Sequence, residues 1–409
     1  MKKFGGSVGR RSLGNVGYNL VMSRPLSILL FACLTLLCSC STRGFKRNPS
    51  AIHLHAPPAA MEGEWCKDYF MVLATIEGQG PFRLLLDTGA AVSLLDDDAA
   101  ARLGSRILGS SLVMTGGGGA SLAAKGQVRI ERLVSGDVTL MDFDMAIHDL
   151  AKFEPILGPL DGVLGYSALM GTTFTIDFPG RTVSATNESL DPDAPRQNDE
   201  AWFKFATSRP HIEANVAGRP VAVLVDSGSG AGFDFETFKS LPRSGGDRPS
   251  HASLNLDRLV VTRSARLSGK VRLGPIVYDA PAIGSVPSGS KIGTQVMSEF
   301  RWTFDTSKGL IRIDEGPLLV EPEPLINLGF VGSIEPGAIR VAHVAHESAT
   351  HGNGLREGDR VVAINGVAIE LFSCEGMRKA IDRATPAVLS VERDGKRFSI
   401  EAQSYTVVP

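Results

Sequence analysis

Two aspartates in this 409-residue chain stand in nearly the same setting. Asp87 follows the leucine run Leu84–Leu86 and opens Asp-Thr-Gly-Ala. Asp226 follows Val223-Leu224-Val225 and opens Asp-Ser-Gly-Ser, 139 residues further on. An acid run off the end of a buried strand is held in a fixed position. If two such acids meet, both cannot be charged at low cost, so they share a proton and titrate as a unit. A water between them then meets a base on one side and an acid on the other. The charged carboxylate takes a proton from the water, and the protonated one polarises a substrate carbonyl. Such chemistry needs no metal, no cofactor and no covalent intermediate. Gly89 and Gly228 let the two turns approach closely, and Thr88 and Ser227 offer hydroxyls that can bridge the loops. For a single acid, the plainer role is a turn aspartate that caps its own backbone.

The elements that position the acids occur twice. Tyr69–Gly89 and Pro210–Gly228 each give a strand, a Gly/Pro turn and an apolar strand ending in the acid. Gly165 and Gly293 then open matching segments in which Leu169 corresponds to Met297, Thr175 to Thr303 and Asp177 to Asp305. Each of those later aspartates follows its glycine by 12 residues. Asp177 and Asp305 end strands beside turns and read as structural. The spacing from acid to glycine is 78 residues in the first copy and 67 in the second, so the second copy is trimmed in its middle. A duplication of this kind implies two similar β lobes about a pseudo-two-fold axis, like a symmetric dimer fused into one chain. That predicts paired lobes that work as a monomer.

These motifs resemble the paired active-site turns of aspartic proteases. Val163-Leu164-Gly165 resembles the apolar-apolar-glycine element that supports the motif, with Ile292-Gly293 as a weaker partner. The chain as a whole resembles bacterial retropepsin-like and pepsin-like aspartic proteases that carry two lobes in one chain. The resemblance implies a mostly β, bilobal acid-protease fold, endopeptidase activity, and Asp87 and Asp226 as the catalytic pair. It also implies a β-hairpin flap. Ser110–Gln127 lies where that flap belongs, with Gly116, Gly117, Gly118 and Gly119 at its tip; the alternative is a plain surface loop. The pepsin flap tyrosine is missing from this stretch. The second lobe's counterpart is expected from Val260 onward, where Arg263 and Arg266 face either the cleft or, by the commoner pattern, solvent.

A third block follows the Glu321–Pro324 break. Gly358-Asp359 leading to a strand and then an Asn365-Gly366 turn resembles a PDZ domain, and Asn-Gly between apolar strands is a hairpin signal by itself. Ser373–Ala384 reads as a capped helix. Leu328, Gly329 and Phe330 resemble the loop whose backbone N–H groups hold a peptide carboxylate. The partners implied are a polypeptide substrate and a peptide ligand of the PDZ domain; a module that only packs is the alternative. His343, His346 and His351 lack the spacing of a zinc helix, and the glycine runs lack the lysine of a phosphate loop.

Composition sets the remaining bounds. Net charge is −2, with no basic block, which argues against nucleic acid. An apolar run from Pro25, preceded by Arg24, reads as an export signal too short to span a membrane. Its end, Leu37-Cys38-Ser39-Cys40, resembles a lipoprotein cleavage box, which implies lipidation of Cys40 and a membrane anchor facing the periplasm. An ordinary cleaved signal is the alternative, and Met22 competes with Met1 as the start. Cys66 and Cys374 are expected as two separate thiols. The resulting order is a signal over 1–40, a flexible tether over 41–62, lobes over 63–190 and 200–317, and the PDZ block over 325–405. Two other functions stay open: a non-cleaving peptide receptor on a protease scaffold, and an envelope lipoprotein whose PDZ domain is the working part.

Overall fold

The computed structural model describes residues 44–104, 106–194, 200–205, 209–369 and 386–409. Strands dominate, as the alternating apolar pattern predicts. The proposed Cys40 lipidation site, Cys374 and the Ser373–Ala384 helix lie outside the described residues.

In the first lobe the strand Gln79–Asp87 is paired on both sides. Tyr69–Ile76 runs antiparallel to it, and Gly162–Gly165 runs parallel, with Gly165 opposite Asp87. A strand with neighbours on both edges and packing on both faces needs continuous apolar residues rather than alternation. Leu84, Leu85 and Leu86 meet that need and are buried. The second lobe repeats the arrangement. Arg219–Val225 pairs antiparallel with His211–Val216 and parallel with Lys291–Ile292. The hairpins turn on Glu77-Gly78 and Ala217-Gly218, four residues all at positive φ, as two-residue turns between twisted strands require.

Between the lobes lies a six-stranded sheet to which both copies contribute. At its centre Thr173–Asp177 pairs antiparallel with Arg301–Asp305, and Thr175 sits opposite Thr303. Because those threonines are equivalent in the two copies, the pseudo-two-fold axis passes between them, where their hydroxyls lie 3.1 Å apart. Beside them Phe174 stacks on Phe304, centroids 4.7 Å apart. Both rings are fully buried in one apolar core that runs through both lobes. Asp177 and Asp305 cap turns: Asp177 accepts the Gly180 N–H, and Asp305 accepts those of Ser307 and Lys308.

Three expectations need correction. The stretch 41–62 is no simple tether, since Ala51–Leu54 pairs with Val138–Ile147 and Ala59–Ala60 joins the sheet between the lobes. Pieces of four and two residues are too short to show a period in sequence, and the sheet edges they cover supply the hydrogen bonds that order them. Cys66 is disulfide-bonded rather than a separate thiol; every other cysteine of the sequence lies outside the described residues. Arg266 faces neither cleft nor solvent. It is buried and donates to the carbonyls of Ala280, Glu323 and Pro409.

The C-terminal block has a separate core of Leu328, Val341, Leu355, Val361, Ile364, Leu389, Val391 and Ile400. Its Asn365-Gly366 turn has both residues at positive φ. Arg266 and Arg248, which donates to the Val407 carbonyl at 3.0 Å, fasten its terminal strand to the second lobe. The strand Phe330–Glu335 lies against the lobe-two strand Arg243–Leu254.

Candidate active site

The two acid loops meet and interlock. The Thr88 hydroxyl donates to the Val225 carbonyl at 2.7 Å and accepts the Ser227 N–H at 3.0 Å. Ser227 does the same in return: its hydroxyl donates to the Leu86 carbonyl at 2.8 Å and accepts the Thr88 N–H at 3.0 Å. Both side chains are buried, so each hydroxyl satisfies a donor and an acceptor that water cannot reach.

This interlock presses each glycine onto the opposite acid. A Cβ on Gly89 would stand 2.5 Å from the Asp226 carboxyl carbon, and one on Gly228 would stand 2.4 Å from that of Asp87. The glycines are required by close approach, since neither has a positive φ. Gly165 and Gly293 act one layer behind. A Cβ on Gly165 would strike the Val92 carbonyl, and one on Gly293 those of Ser229 and Ala231, each at 2.5 Å. They therefore let the supporting strands pass under the acid loops.

The carboxyl groups of Asp87 and Asp226 share a hydrogen bond. Asp87 Oδ1 also accepts the N–H groups of Gly89 at 2.8 Å and Ala90 at 3.0 Å, and Asp226 Oδ1 accepts that of Gly228 at 3.1 Å. Burial pushes the Asp87 carboxyl up to about 8, with Asp226 adding to the rise, against the pull of the Gly89 and Ala90 N–H donors. One proton is thus kept on the pair across neutral pH.

Tyr69 was invisible as a site residue in sequence, where it reads as an ordinary strand aromatic. Its hydroxyl lies where a Cβ on Gly230 would stand only 2.4 Å away. Burial, then Asp226, Asp68 and Asp87, raise its phenol well above the usual range, so it stays neutral.

The segment expected to be the flap is a hairpin of Val113–Thr115 and Ser121–Ala123, with Gly116–Gly119 at its tip. Leu112 and Met114 share an apolar cluster with Tyr69, Ala90 and Leu256 of the second lobe, which lays the hairpin over the acid loops. The opposing tip differs from expectation. It is Asn255–Arg258, the turn between Arg243–Leu254 and Leu259–Leu267, and not the segment from Val260. Arg263 lies on the strand and pairs with Asp247 at 3.0 Å. The two tips are latched: Asp257 accepts the N–H groups of Gly118 and Ala120, both at 2.9 Å, and Arg258 donates to the Gly118 carbonyl. Cβ atoms on Gly116, Gly117 and Gly118 would collide with Asp257, Asn255 or Arg258, so the glycines serve contact as well as motion.

In the third block Leu328 is a core residue and Phe330 opens a strand. The Gly329 N–H, expected to face a peptide carboxylate, donates to Asn327 Oδ1 at 2.8 Å. Asparagine side chains commonly accept the N–H two residues on, and this one takes the place of a ligand at that donor.

The interlock predicts that Thr88→Val and Ser227→Ala each cost about 1–3 kcal/mol, the penalty for stranding buried partners. The double variant should cost less than the sum, because each change breaks the same interlock; denaturant unfolding measures all three. The latch predicts faster amide exchange at Gly118 and Ala120 in Asp257→Ala, by roughly tenfold or more. Burial works against the Asp257 anion, but the Ala120 and Gly118 N–H groups outweigh it and lower its pKa. The latch in the wild type should therefore hold above the usual carboxylate range and loosen only as pH falls through that lowered value. Exchange unchanged in the variant contradicts the latch.

Residues 72–168 match the family model described as aspartyl protease, a stretch that holds Asp87, the flap and Gly165. Residues 318–392 match that of the PDZ domain. No curated protein matches the chain. One similar solved structure is a PDZ domain protein from Parabacteroides distasonis, 15% identical over 20% of this chain and 20% of that one, with a TM-score of 0.19. This chain therefore carries a retropepsin-like aspartyl protease domain, extended into a two-lobed acid-protease fold by its own internal repeat, and a PDZ domain after it.

Proposed function

We propose that the protein is an aspartic endopeptidase that hydrolyses peptide bonds in exported or envelope proteins. The observation that carries this reading is the meeting of Asp87 and Asp226, each packed on the other's glycine and joined by a shared hydrogen bond. In the proposed reaction the Asp226 carboxylate takes a proton from water as its oxygen adds to the peptide carbonyl carbon. Asp87 gives its proton to the carbonyl oxygen. Asp226 then gives that proton to the amide nitrogen while Asp87 takes one back from a hydroxyl of the tetrahedral intermediate, so the C–N bond breaks to leave a carboxylic acid and an amine and the pair returns to its starting state. Tyr69, held neutral, would serve as a polar wall beside the lobe-two loop.

The flap and its latch would close over an extended peptide and exclude water from the cleft. The PDZ domain would recruit or orient polypeptide chains, its strand Phe330–Glu335 being turned toward the second lobe. Export, and anchoring by lipid at Cys40, fit the sequence at the N-terminus and belong to the same proposal.

Digestion of a peptide library by the purified protein tests the reading. Asp87→Asn and Asp226→Asn should each lower cleavage by roughly 10²–10⁴-fold while the protein stays folded. Near-full activity in either variant overturns it. Activity of the wild type should fall as pH rises through about 8, where Asp87 loses its proton. The same shift has a stability consequence. An acid whose pKa is raised by folding binds its proton more tightly in the folded state, so it weakens the fold as pH climbs from the usual carboxylate range toward that raised value. Asp87→Asn removes this effect, so its melting temperature should gain on the wild type between pH 4 and pH 8.

A further inference from the structure

The two lobes treat their acids differently one layer behind the dyad. In the first lobe the supporting strand carries Val163, opposite Leu94, in apolar surroundings. The equivalent places in the second lobe, counted from Gly165 and Gly293, are Lys291 and, opposite it, Asp234. An apolar pair has become a charged pair beside one acid only. Lys291 Nζ lies 3.9 Å from Asp226 Oδ2, with the two side chains only 13% and 15% exposed. Opposite charges at that distance and burial interact strongly, because little water is present to screen them.

We infer that Lys291 is a positioning residue that fixes the dyad's negative charge on Asp226 and leaves the shared proton on Asp87. A symmetric pair of acids is indifferent to which partner is ionised; a buried ammonium beside one of them is not. This deepens the protease reading and rests on it, since it assigns base to one acid and proton donor to the other.

The groups around the pair are consistent with that role. Asp87 faces Asp226 from the first lobe, and its own carboxyl is held in the protonated form across neutral pH, chiefly by burial. Tyr69 lies beside Asp226 and stays neutral. His251, on the strand Arg243–Leu254, is driven down to about 4 by burial and then by Lys291, so it brings no second positive charge at neutral pH. Asp234 is almost fully buried. Burial pushes it up to about 6, against the pull of Lys291 and with a smaller push from Asp226. Below that pH Asp234 is neutral and Lys291 is left to Asp226. Above it Lys291 is shared between two carboxylates. The hold on Asp226 is therefore strongest in acid, where it decides whether the dyad keeps its charge.

The sign of the effect follows. Loss of activity at low pH marks protonation of the dyad's anion, and a neighbouring ammonium resists that protonation. The test is the pH profile of kcat/KM for the full-length protein on a peptide that the wild type cleaves. Lys291→Met should move the acid limb up by about 1–3 pH units, and Lys291→Arg should bring it back toward the wild type. Lys291→Gln, which keeps a polar end for Asp234, replaces the Met variant if thermal unfolding shows that the latter does not fold. A folded neutral variant whose acid limb stays in place overturns the inference, as does a uniform loss at every pH, which marks a merely structural lysine. Absence of cleavage by the wild type itself strikes the protease reading instead, and this inference falls with it.

Discussion

Everything at the site depends on forcing two carboxyl groups together that would repel each other if both were ionised. The interlock of Thr88 and Ser227 supplies that force. Four buried hydrogen bonds tie the loops to each other's strands, and each loop lacks a side chain where the other's acid must fit. The energy stored in crowding the acids is met by retaining one proton, which is also the arrangement that acid–base attack by water requires. The proposed function and its cost thus have one physical source.

The symmetry of the scaffold makes this possible without a second chain. The axis marked by Thr175 and Thr303 brings equivalent loops face to face. Departures from symmetry carry the specialised features. Flap glycines in one lobe meet Asp257 and Arg258 in the other. A valine under Asp87 answers to a lysine under Asp226. The C-terminal block is fastened to the second lobe by Arg248 and Arg266.

Much of this was legible in the sequence because repetition is visible there. The two acid motifs, the matching glycines and the Thr175–Thr303 equivalence needed only comparison of the chain with itself. The hairpin turns and the Asn365-Gly366 turn carry local signals that φ > 0 imposes. What stayed hidden depends on contacts between distant segments. Ala51–Leu54 and Ala59–Ala60 are too short to show a period. Tyr69 gains meaning only beside Gly230, and Arg266 only beside three carbonyls from remote segments. Asp257 reads as a turn aspartate until the flap is placed over it. Lys291 carries no signal in the sequence, and only its distance from Asp226 gives it a role. In the Gly329 loop the sequence likewise hid that Asn327 accepts one of the loop's N–H groups.

The central claim is that Asp87 and Asp226 hold one proton between them over a wide pH range. The most direct measurement is an NMR titration of the wild-type protein with carboxyl-labelled aspartate, following the two signals that vanish in turn on substitution of Asp87 and Asp226. The account predicts two separated steps, one carboxyl staying protonated until about pH 8. Two independent titrations in the ordinary carboxylate range near pH 4 contradict it.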